Sequence, residues 1–232
     1  MKSYTIALGA AALLLAAPSI FAAGEGRQIF ENQCVSCHAV KAPAAAADHL
    51  ERIWQRKGPD LYHAADKFQK DWLSAWLQEP TRIRPGGVLY TRAVEAGKDG
   101  DQITAANLKQ HPKLDAAAAA SVTDYLMTLH APGGFLEDVS LGKPSRMDAK
   151  MGKLFFKKLR GCAACHQDGA GEGGESGPQL YTAGKRLTPE YVYSYMKNPQ
   201  KFDPGVWMPD LGLNETDLKR LTAYVLSLSE EN

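Results

Sequence analysis

Two copies of one short motif, C-x-x-C-H, constrain this chain more than any other feature. The first copy occupies residues 34–38 (CVSCH) and the second occupies residues 162–166 (CAACH). A C-x-x-C pair alone also occurs in redox disulfides and in zinc sites, but a histidine directly after the second cysteine is typical of c-type haem attachment. Together the two motifs use all four cysteines of the chain. The sequence therefore predicts two covalently bound haem c groups.

The chemistry of such a site assigns a role to each residue of the motif. The two thiols form thioether bonds to one haem, and the adjacent histidine binds the iron from the proximal side. The predicted residues are Cys34, Cys37 and His38 for the first haem, and Cys162, Cys165 and His166 for the second.

The first 23 residues have the pattern of an export signal. Lys2 is followed by no other charge until Glu25, an apolar run covers residues 6–17, and small residues occupy positions 22–23. This pattern is typical of a secretory signal peptide cleaved near residue 22 or 23. If it stays uncleaved, the segment is just long enough to anchor the chain in a membrane. We therefore expect a periplasmic protein that contacts a membrane only if the signal is retained.

Composition and charge exclude several other classes of protein. With 232 residues and 44% apolar side chains, the chain is long enough for two small globular domains. The formal net charge is +1 at pH 7, and removing residues 1–23 takes away Lys2 and no acid. A chain with balanced charges lacks the basic surplus that nucleic-acid binding requires, so we expect no nucleic-acid partner.

The remainder of the chain consists of two copies of one unit. Residues 58–62 (GPDLY) match residues 177–181 (GPQLY), and the alignment continues without a gap for almost thirty positions. The aligned pairs include Lys67 and Arg186, Trp72 and Tyr191, Trp76 and Tyr195, Pro80 and Pro199, and Pro85 and Pro204. Proline and aromatic residues kept at such constant spacing indicate an internal repeat.

Each unit is predicted to contain three helices. The first leads into the C-x-x-C-H motif, the second carries the aromatic pair and ends at a proline, and the third is amphipathic and follows an N-capping Asp115 or Asn214. The predicted ranges are 26–32, 71–78 and 115–129 in the first unit, and 150–159, 189–197 and 215–228 in the second.

This order of motifs and helices resembles a class I cytochrome c, and two such units in tandem resemble the dihaem cytochromes c of bacterial periplasms. The resemblance implies an all-α fold of two cytochrome c-like domains, each wrapped around one haem c. The implied boundaries are 1–23 for the signal peptide, 24–130 for the first domain, 131–149 for a linker and 150–232 for the second domain. In this family the carbonyl of the Gly-Pro proline accepts a hydrogen bond from the proximal histidine, which implies Pro59 for His38 and Pro178 for His166.

The family also places a distal methionine ligand in the loop before the last helix. In the second unit this loop contains Met208, directly before Pro209. A thioether ligand raises the reduction potential of the haem, so the resemblance implies a His166/Met208 haem of higher potential. Met196 aligns with Leu77 and is expected to belong to the hydrophobic core.

The first unit departs from the family pattern. It has an insertion over residues 88–110, which ends in residues 111–114 (HPKL), and these align with residues 208–211 (MPDL). His111 thus takes the place of Met208, and we predict a bis-histidine haem with His38 and His111 as iron ligands. Met127 is a rival ligand, but it aligns with Leu226 in a core position. The other histidines, His49, His63 and His130, are not expected to bind iron.

Two six-coordinate irons favour an electron carrier over an enzyme. We expect the chain to relay single electrons between a donor and an acceptor through a lower-potential bis-histidine haem and a higher-potential His/Met haem. Its partners would be redox proteins that bind transiently. Two alternatives remain open. The first is a dihaem oxidoreductase, of the peroxidase or sulfur-compound dehydrogenase type, whose first haem opens a catalytic site. The second is an electron-relay subunit of a respiratory complex.

Overall fold

The computed structural model describes residues 19–42, 51, 53–98, 100–142 and 145–228. Most of the predicted signal peptide, and His49, lie outside these ranges. The helices are α1 (Ser19–Gln33), α2 (Ala64–Lys67), α3 (Lys70–Gln78), α4 (Ala116–Leu126), α5 (Arg146–Leu154), α6 (Ala183–Arg186), α7 (Pro189–Lys197), α8 (Pro199–Phe202) and α9 (Glu215–Ser227). Within the described ranges, none of the helices has the length and apolar character needed to span a bilayer.

Two short antiparallel hairpins interrupt this predominantly helical fold, and neither was predicted. Strands β1 (Val94–Gly97) and β2 (Gly100–Ile103) pair within the insertion of the first unit. Strands β3 (Gln167–Gly169) and β4 (Glu172–Gly173) pair in the glycine-rich loop after the second C-x-x-C-H motif. The predicted helical fold is confirmed as a mostly helical one, and the two hairpins are confined to loops that fold back on themselves.

The ends of the helices are set by capping side chains. The carboxylate of Asp115 accepts a hydrogen bond from the backbone N–H of Ala118, and the side chain of Asn214 accepts one from Asp217, so both predicted N-caps are confirmed. Helix α5 begins four residues earlier than predicted, because Ser145 caps it in a reciprocal arrangement with Asp148.

Two other predicted boundaries were wrong. Helix α1 begins at Ser19, upstream of the predicted start at residue 26, and α4 ends at Leu126 instead of residue 129. The aromatic helix α7 ends at Lys197, before Pro199, as predicted. Pro199 then occupies the first turn of α8, where a backbone N–H would have no partner within the helix. The side chain of Asn198 caps that short helix.

A glycine allows the first and last helices of each domain to cross closely. A Cβ atom on Gly26 of α1 would lie 1.8 Å from the carbonyl oxygen of Ser121 in α4. A Cβ atom on Gly152 of α5 would lie 2.1 Å from the carbonyl oxygen of Arg220 in α9. Neither separation is possible for a real side chain, so both crossings require glycine.

A phenylalanine four residues after each of these glycines fills the crossing. Phe30 and Phe156 are 1% and 2% exposed. Phe30 packs at 5.6 Å from the ring of Tyr125, and Phe156 packs at 5.5 Å from the ring of Tyr224. Gly-x-x-x-Phe is thus a second repeated motif, which the sequence analysis missed although both copies are visible in the sequence.

The second domain has two more residues than the first between this phenylalanine and the C-x-x-C-H motif. Phe30 lies four positions before Cys34, but Phe156 lies six positions before Cys162. The additional length is taken up by a π-helical turn over Phe155–Leu159. Gly161, with a φ of +70°, then leads into the turn of the C-x-x-C-H motif. Such turns absorb insertions inside a helix without unfolding it.

The two domains meet through equivalent segments. The backbone N–H of Gln69 donates to the carbonyl of Arg186 at 3.0 Å, and the N–H of Thr188 donates to the carbonyl of Lys67 at 3.0 Å. In the repeat alignment Lys67 matches Arg186 and Gln69 matches Thr188, so each hydrogen bond is the image of the other. The contact therefore has the self-complementary form of a twofold interface.

The linker between the domains packs beside this interface. Phe135 lies 4.3 Å from the ring of Phe202 in the second domain and 5.9 Å from the ring of Tyr62 in the first. Glu137 forms an ion pair of 2.6 Å with Lys197, which holds the linker against α7. One hydrophobic core consequently extends through both domains.

Candidate functional site

A single cavity of about 1060 Å³ extends through both domains. Its volume exceeds the range of about 300–1,000 Å³ that is usual for small-molecule sites. Every residue predicted to serve a haem lines this cavity. These residues are Cys34, Cys37, His38, Pro59, His111, Cys162, Cys165, His166, Pro178 and Met208.

Each C-x-x-C-H motif folds as a tight turn that directs its side chains to one wall of the cavity. The N–H of His38 donates to the carbonyl of Cys34 at 3.0 Å, and the N–H of His166 donates to that of Cys162 at 3.1 Å. All four cysteines are free of disulfide bonds. Burial raises the pKa of the thiols of Cys34 and Cys162. The paired, unoxidised thiols fit two thioether attachment sites.

The proximal histidines are held in the same way in both domains. Nδ1 of His38 lies 2.8 Å from the carbonyl oxygen of Pro59, and Nδ1 of His166 lies 2.8 Å from that of Pro178. This hydrogen bond orients each ring and leaves its Nε2 atom to bind a metal. Burial lowers the pKa of both histidines, against the smaller opposite effect of the proline carbonyls. This shift favours the neutral imidazole, which is the form that binds a metal.

The glycine before each proline permits this close approach. A Cβ atom on Gly58 would lie 2.5 Å from Cε1 of His38, and one on Gly177 would lie 2.7 Å from Cε1 of His166. Both separations are shorter than any van der Waals contact between carbon atoms. The Gly-Pro pair thus has two functions, since glycine makes room for the ring and proline supplies the carbonyl.

The structure places His111 opposite His38. Their ring centroids are 6.1 Å apart with an angle of 52° between the planes. An imidazole binds a metal at about 2.0–2.1 Å, and its centroid lies about 1.1 Å further away, so two imidazoles on opposite sides of one iron have centroids about 6.2–6.4 Å apart. The observed spacing therefore fits one iron atom between the two rings.

The surroundings of His111 also suit a ligand. Its Nδ1 atom lies 2.8 Å from the carbonyl oxygen of Pro112, so Nε2 is the nitrogen free for a metal, as in His38. The ring of Trp76 packs at 4.7 Å from that of His111 and limits its rotation. Trp76 lies on α3 and is one of the aligned aromatic residues of the repeat.

Met208 lies in the same cavity as His166, in the loop before α9. The carbonyl of Met208 accepts a hydrogen bond of 2.8 Å from the side-chain amide of Gln200, which fixes the loop. Met127 packs against the main hydrophobic core, as expected. Met196 also packs in the core, although part of it reaches the cavity wall.

The two other described histidines lie away from the cavity lining. His63 is 5% exposed and burial lowers its pKa to about 3. Its ring is surrounded by those of Tyr62, Phe135, Tyr191 and Phe202. Nδ1 of His130 lies 2.6 Å from a carboxylate oxygen of Asp66 at the surface. Over the described ranges, no cluster of three or more His, Cys, Asp or Glu side chains forms a separate metal site.

The fold and the cavity together define a c-type haem protein, because helices surround paired thiols and oriented histidines. The family model for cytochrome c matches residues 23–130 and again residues 149–229. The chain therefore belongs to the cytochrome c family. The match in two segments supports two cytochrome c domains, and membership implies covalent haem c and electron transfer.

A curated relative agrees with this assignment. The chain is 32% identical over 85 residues to the protein named cytochrome c from Tetrahymena pyriformis. The match covers 33% of this chain and 78% of the relative, the proportion expected if one of two domains is aligned. No solved structure matches the chain.

Proposed function

We propose that this chain carries two haem c groups and relays single electrons between a donor and an acceptor protein in the periplasm. The observation that carries the proposal is the shared cavity, which collects both C-x-x-C-H motifs and a second candidate ligand for each iron. Because one cavity reaches both motifs, two haems bound there lie close to each other. Close cofactors suit electron transfer within one chain.

The two haems are proposed to differ in potential. His38 and His111 supply two imidazoles to the first iron, and their ring spacing of 6.1 Å supports this pair. His166 and Met208 supply one imidazole and one thioether to the second iron, which raises its potential. Electrons would enter at the first haem and leave from the second. Both irons then have six ligands and no open position.

The alternative functions differ from the carrier in the ligands of the first iron or in the type of partner. A dihaem oxidoreductase needs an iron that loses a protein ligand and accepts a small molecule. A relay subunit of a respiratory complex needs the same ligands as a free carrier, together with a permanent partner. The carrier is favoured because the ring centroids of His38 and His111 are 6.1 Å apart, a spacing that supports ligation of one iron by both.

Haem content and carbon monoxide binding test the proposal. We expect two haems per chain and no carbon monoxide adduct when the protein is fully reduced. The variant His111→Ala serves as a positive control, since its first iron should be open and should bind carbon monoxide at one haem in two. A chain with one haem contradicts the proposal. Carbon monoxide binding by the unmodified protein favours the oxidoreductase.

A further inference from the structure

The cavity has a strong excess of positive charge. Among the described residues, its lining contains one carboxylate, that of Asp203. The cationic side chains that line it are Arg56, Lys57, Lys67, Arg82, Arg84, Lys109, Arg160 and Arg186. An apolar cavity with this imbalance favours anionic groups over neutral ones.

Some of these cations have carboxylate partners. Arg56 forms an ion pair of 2.7 Å with Asp203, in which both side chains are nearly buried. Arg160 forms an ion pair of 2.8 Å with Asp217. In both cases the positive charge is already balanced by the protein itself.

Three other cations form an unbalanced cluster. No carboxylate of the described part of the chain lies within ion-pair distance of Lys67, Arg84 or Arg186. Arg186 is 3% exposed and donates only to neutral oxygens, those of Gln179 and Thr182. Burial, with the nearby Arg84, lowers the pKa of Arg186 to about 10, and burial with neighbouring arginines lowers that of Lys67 to about 7. Arg186 is a buried cation with only neutral partners, and Lys67 and Arg84 are partly buried. A buried cation without a counter-ion is costly, so the cluster fits an anion supplied from outside the chain.

Arg84 belongs to the first domain but is held against the second. The carbonyl of Ile83 accepts a hydrogen bond of 2.7 Å from the backbone N–H of Gln179. Gln179 follows Pro178, whose carbonyl orients His166. The loop after α3 is therefore fixed beside the proximal side of the second-domain site, and it brings Arg84 with it.

The equivalent loop of the second domain carries the opposite charge. In the register of the repeat, Arg84 aligns with Asp203 and Arg56 aligns with Glu175. Asp203 crosses the interface to neutralise Arg56, which lies two residues before Gly58. Each domain thus places the equivalent loop against the other domain. The first-domain loop brings the positive charge of Arg84 to the second domain, whereas the second-domain loop brings the negative charge of Asp203 to Arg56 of the first.

We propose that Arg84 reaches a propionate carboxylate of the second-domain haem from across the domain interface, and that it thereby raises the reduction potential of that haem. This proposal rests on the two-haem function above. A haem gains a negative charge on reduction, and a cation close to it stabilises the reduced form. A carboxylate is also the group that an arginine side chain recognises best, through paired hydrogen bonds.

A redox titration of the haem-loaded protein and three variants tests this proposal. Arg84→Gln should lower the higher of the two potentials, the one that titrates with the methionine–iron signal, and should leave the lower one in place. Arg84→Lys keeps the positive charge, so its higher potential should stay close to that of the unmodified protein. The control Arg146→Gln removes an exposed arginine of α5 that does not line the cavity. It should move neither potential.

The outcomes separate the two proposals. If the unmodified protein has two haems and two potentials, but Arg84→Gln changes neither, the role of Arg84 is wrong and the electron-relay function stands. An equal shift of both potentials also contradicts a site-specific role. If the unmodified protein binds one haem or shows a single potential, the proposed function itself is wrong. Haem content of every variant is measured first, so that a failure to load haem is not counted as a shift.

Discussion

The two domains hold their proximal histidines identically and differ on the opposite side of the cavity. In both domains a glycine makes room for the ring, and a proline carbonyl accepts its hydrogen bond at 2.8 Å. Elsewhere in the cavity lining the first domain contributes His111 and the second contributes Met208 at the aligned position, and we propose these two residues as the distal ligands. Under this proposal the attachment side of the haem is held in one way, whereas the loop before the last helix changes the ligand and leaves the helices unchanged.

The insertion in the first domain shows how such a change is accommodated. Residues 88–110 form the hairpin of β1 and β2 and two short 3-10 turns, and the chain then returns to the site. The N–H of Leu114 donates to the carbonyl of Leu77 at 3.0 Å, which fixes the segment directly after His111 to the end of α3. The two strands are mostly exposed, whereas both ends of the insertion line the cavity. The position before the last helix is kept.

The largest expected effects concern the helix crossings, which the two domains share. Phe30→Ala and Phe156→Ala each remove a buried ring between two helices and should each lower the free energy of unfolding by about 3–5 kcal/mol. Denaturant titration of the haem-loaded protein measures both losses. Met147→Ala changes a side chain that is 63% exposed, and it should shift stability by less than about 0.5 kcal/mol. If one of the two variants loses much less free energy of unfolding than the other, the two helix crossings are not equivalent.

Exchanging the distal ligands should abolish the main difference between the domains. His111→Met should raise the lower potential by on the order of 100 mV, equivalent to about 2.3 kcal/mol per electron, within the range of about 0.8 V that axial ligands control. Met208→His is the matched exchange and should lower the higher potential. Potentiometric titration measures both changes. If neither potential moves in either variant, the assigned residues are not the ligands.

The glycines beside the proximal histidines should be equally sensitive in the two domains. Gly58→Ala and Gly177→Ala insert a methyl group where the imidazole ring lies, and each should cost about 1–3 kcal/mol of stability. Thermal unfolding of the haem-loaded variants measures this cost. Gly133→Ala is the control, because a Cβ atom there would meet no other atom within 4 Å. Tolerance of alanine at position 58 but not at 177 would show that the two sites are held differently.

A pH response from a buried histidine outside the haem sites should belong to the first domain alone. His63 is buried with a pKa of about 3, whereas a histidine in the unfolded chain titrates near 6.5. Between these values the unfolded state binds the additional proton, so stability falls as the pH falls below 6.5. The loss is about 1.4 kcal/mol at pH 5.5. The second domain has Thr182 at the aligned position and lacks this response.

The variant His63→Phe isolates this contribution. Phenylalanine matches the aromatic surroundings of position 63 and cannot take up a proton. Its stability relative to the unmodified protein should therefore increase as the pH is lowered from 7.5 to 5.5. Urea titrations at several pH values measure the difference. Parallel stability profiles for the two proteins contradict the assignment of this response to His63.

The sequence predicted the features that depend on local spacing. The haem motifs, the repeat and the capping residues Asp115 and Asn214 follow from residue types at fixed intervals. The glycines at positions 26 and 152 were missed, because their role appears only when two distant helices cross. The position of Arg84 was also not predictable, since it depends on how the domains dock. The hairpin β1–β2 was missed because exposed strands lack a hydrophobic alternation.

The central claim is that the two haems differ in their distal ligand, and one measurement tests it directly. A redox titration is followed by a spectroscopic signal specific for methionine bound to ferric haem iron. The account predicts that this signal corresponds to one haem in two and disappears on reduction at the higher of two potentials. A signal from both haems, from neither, or from the haem of lower potential contradicts the assignment of His111 and Met208.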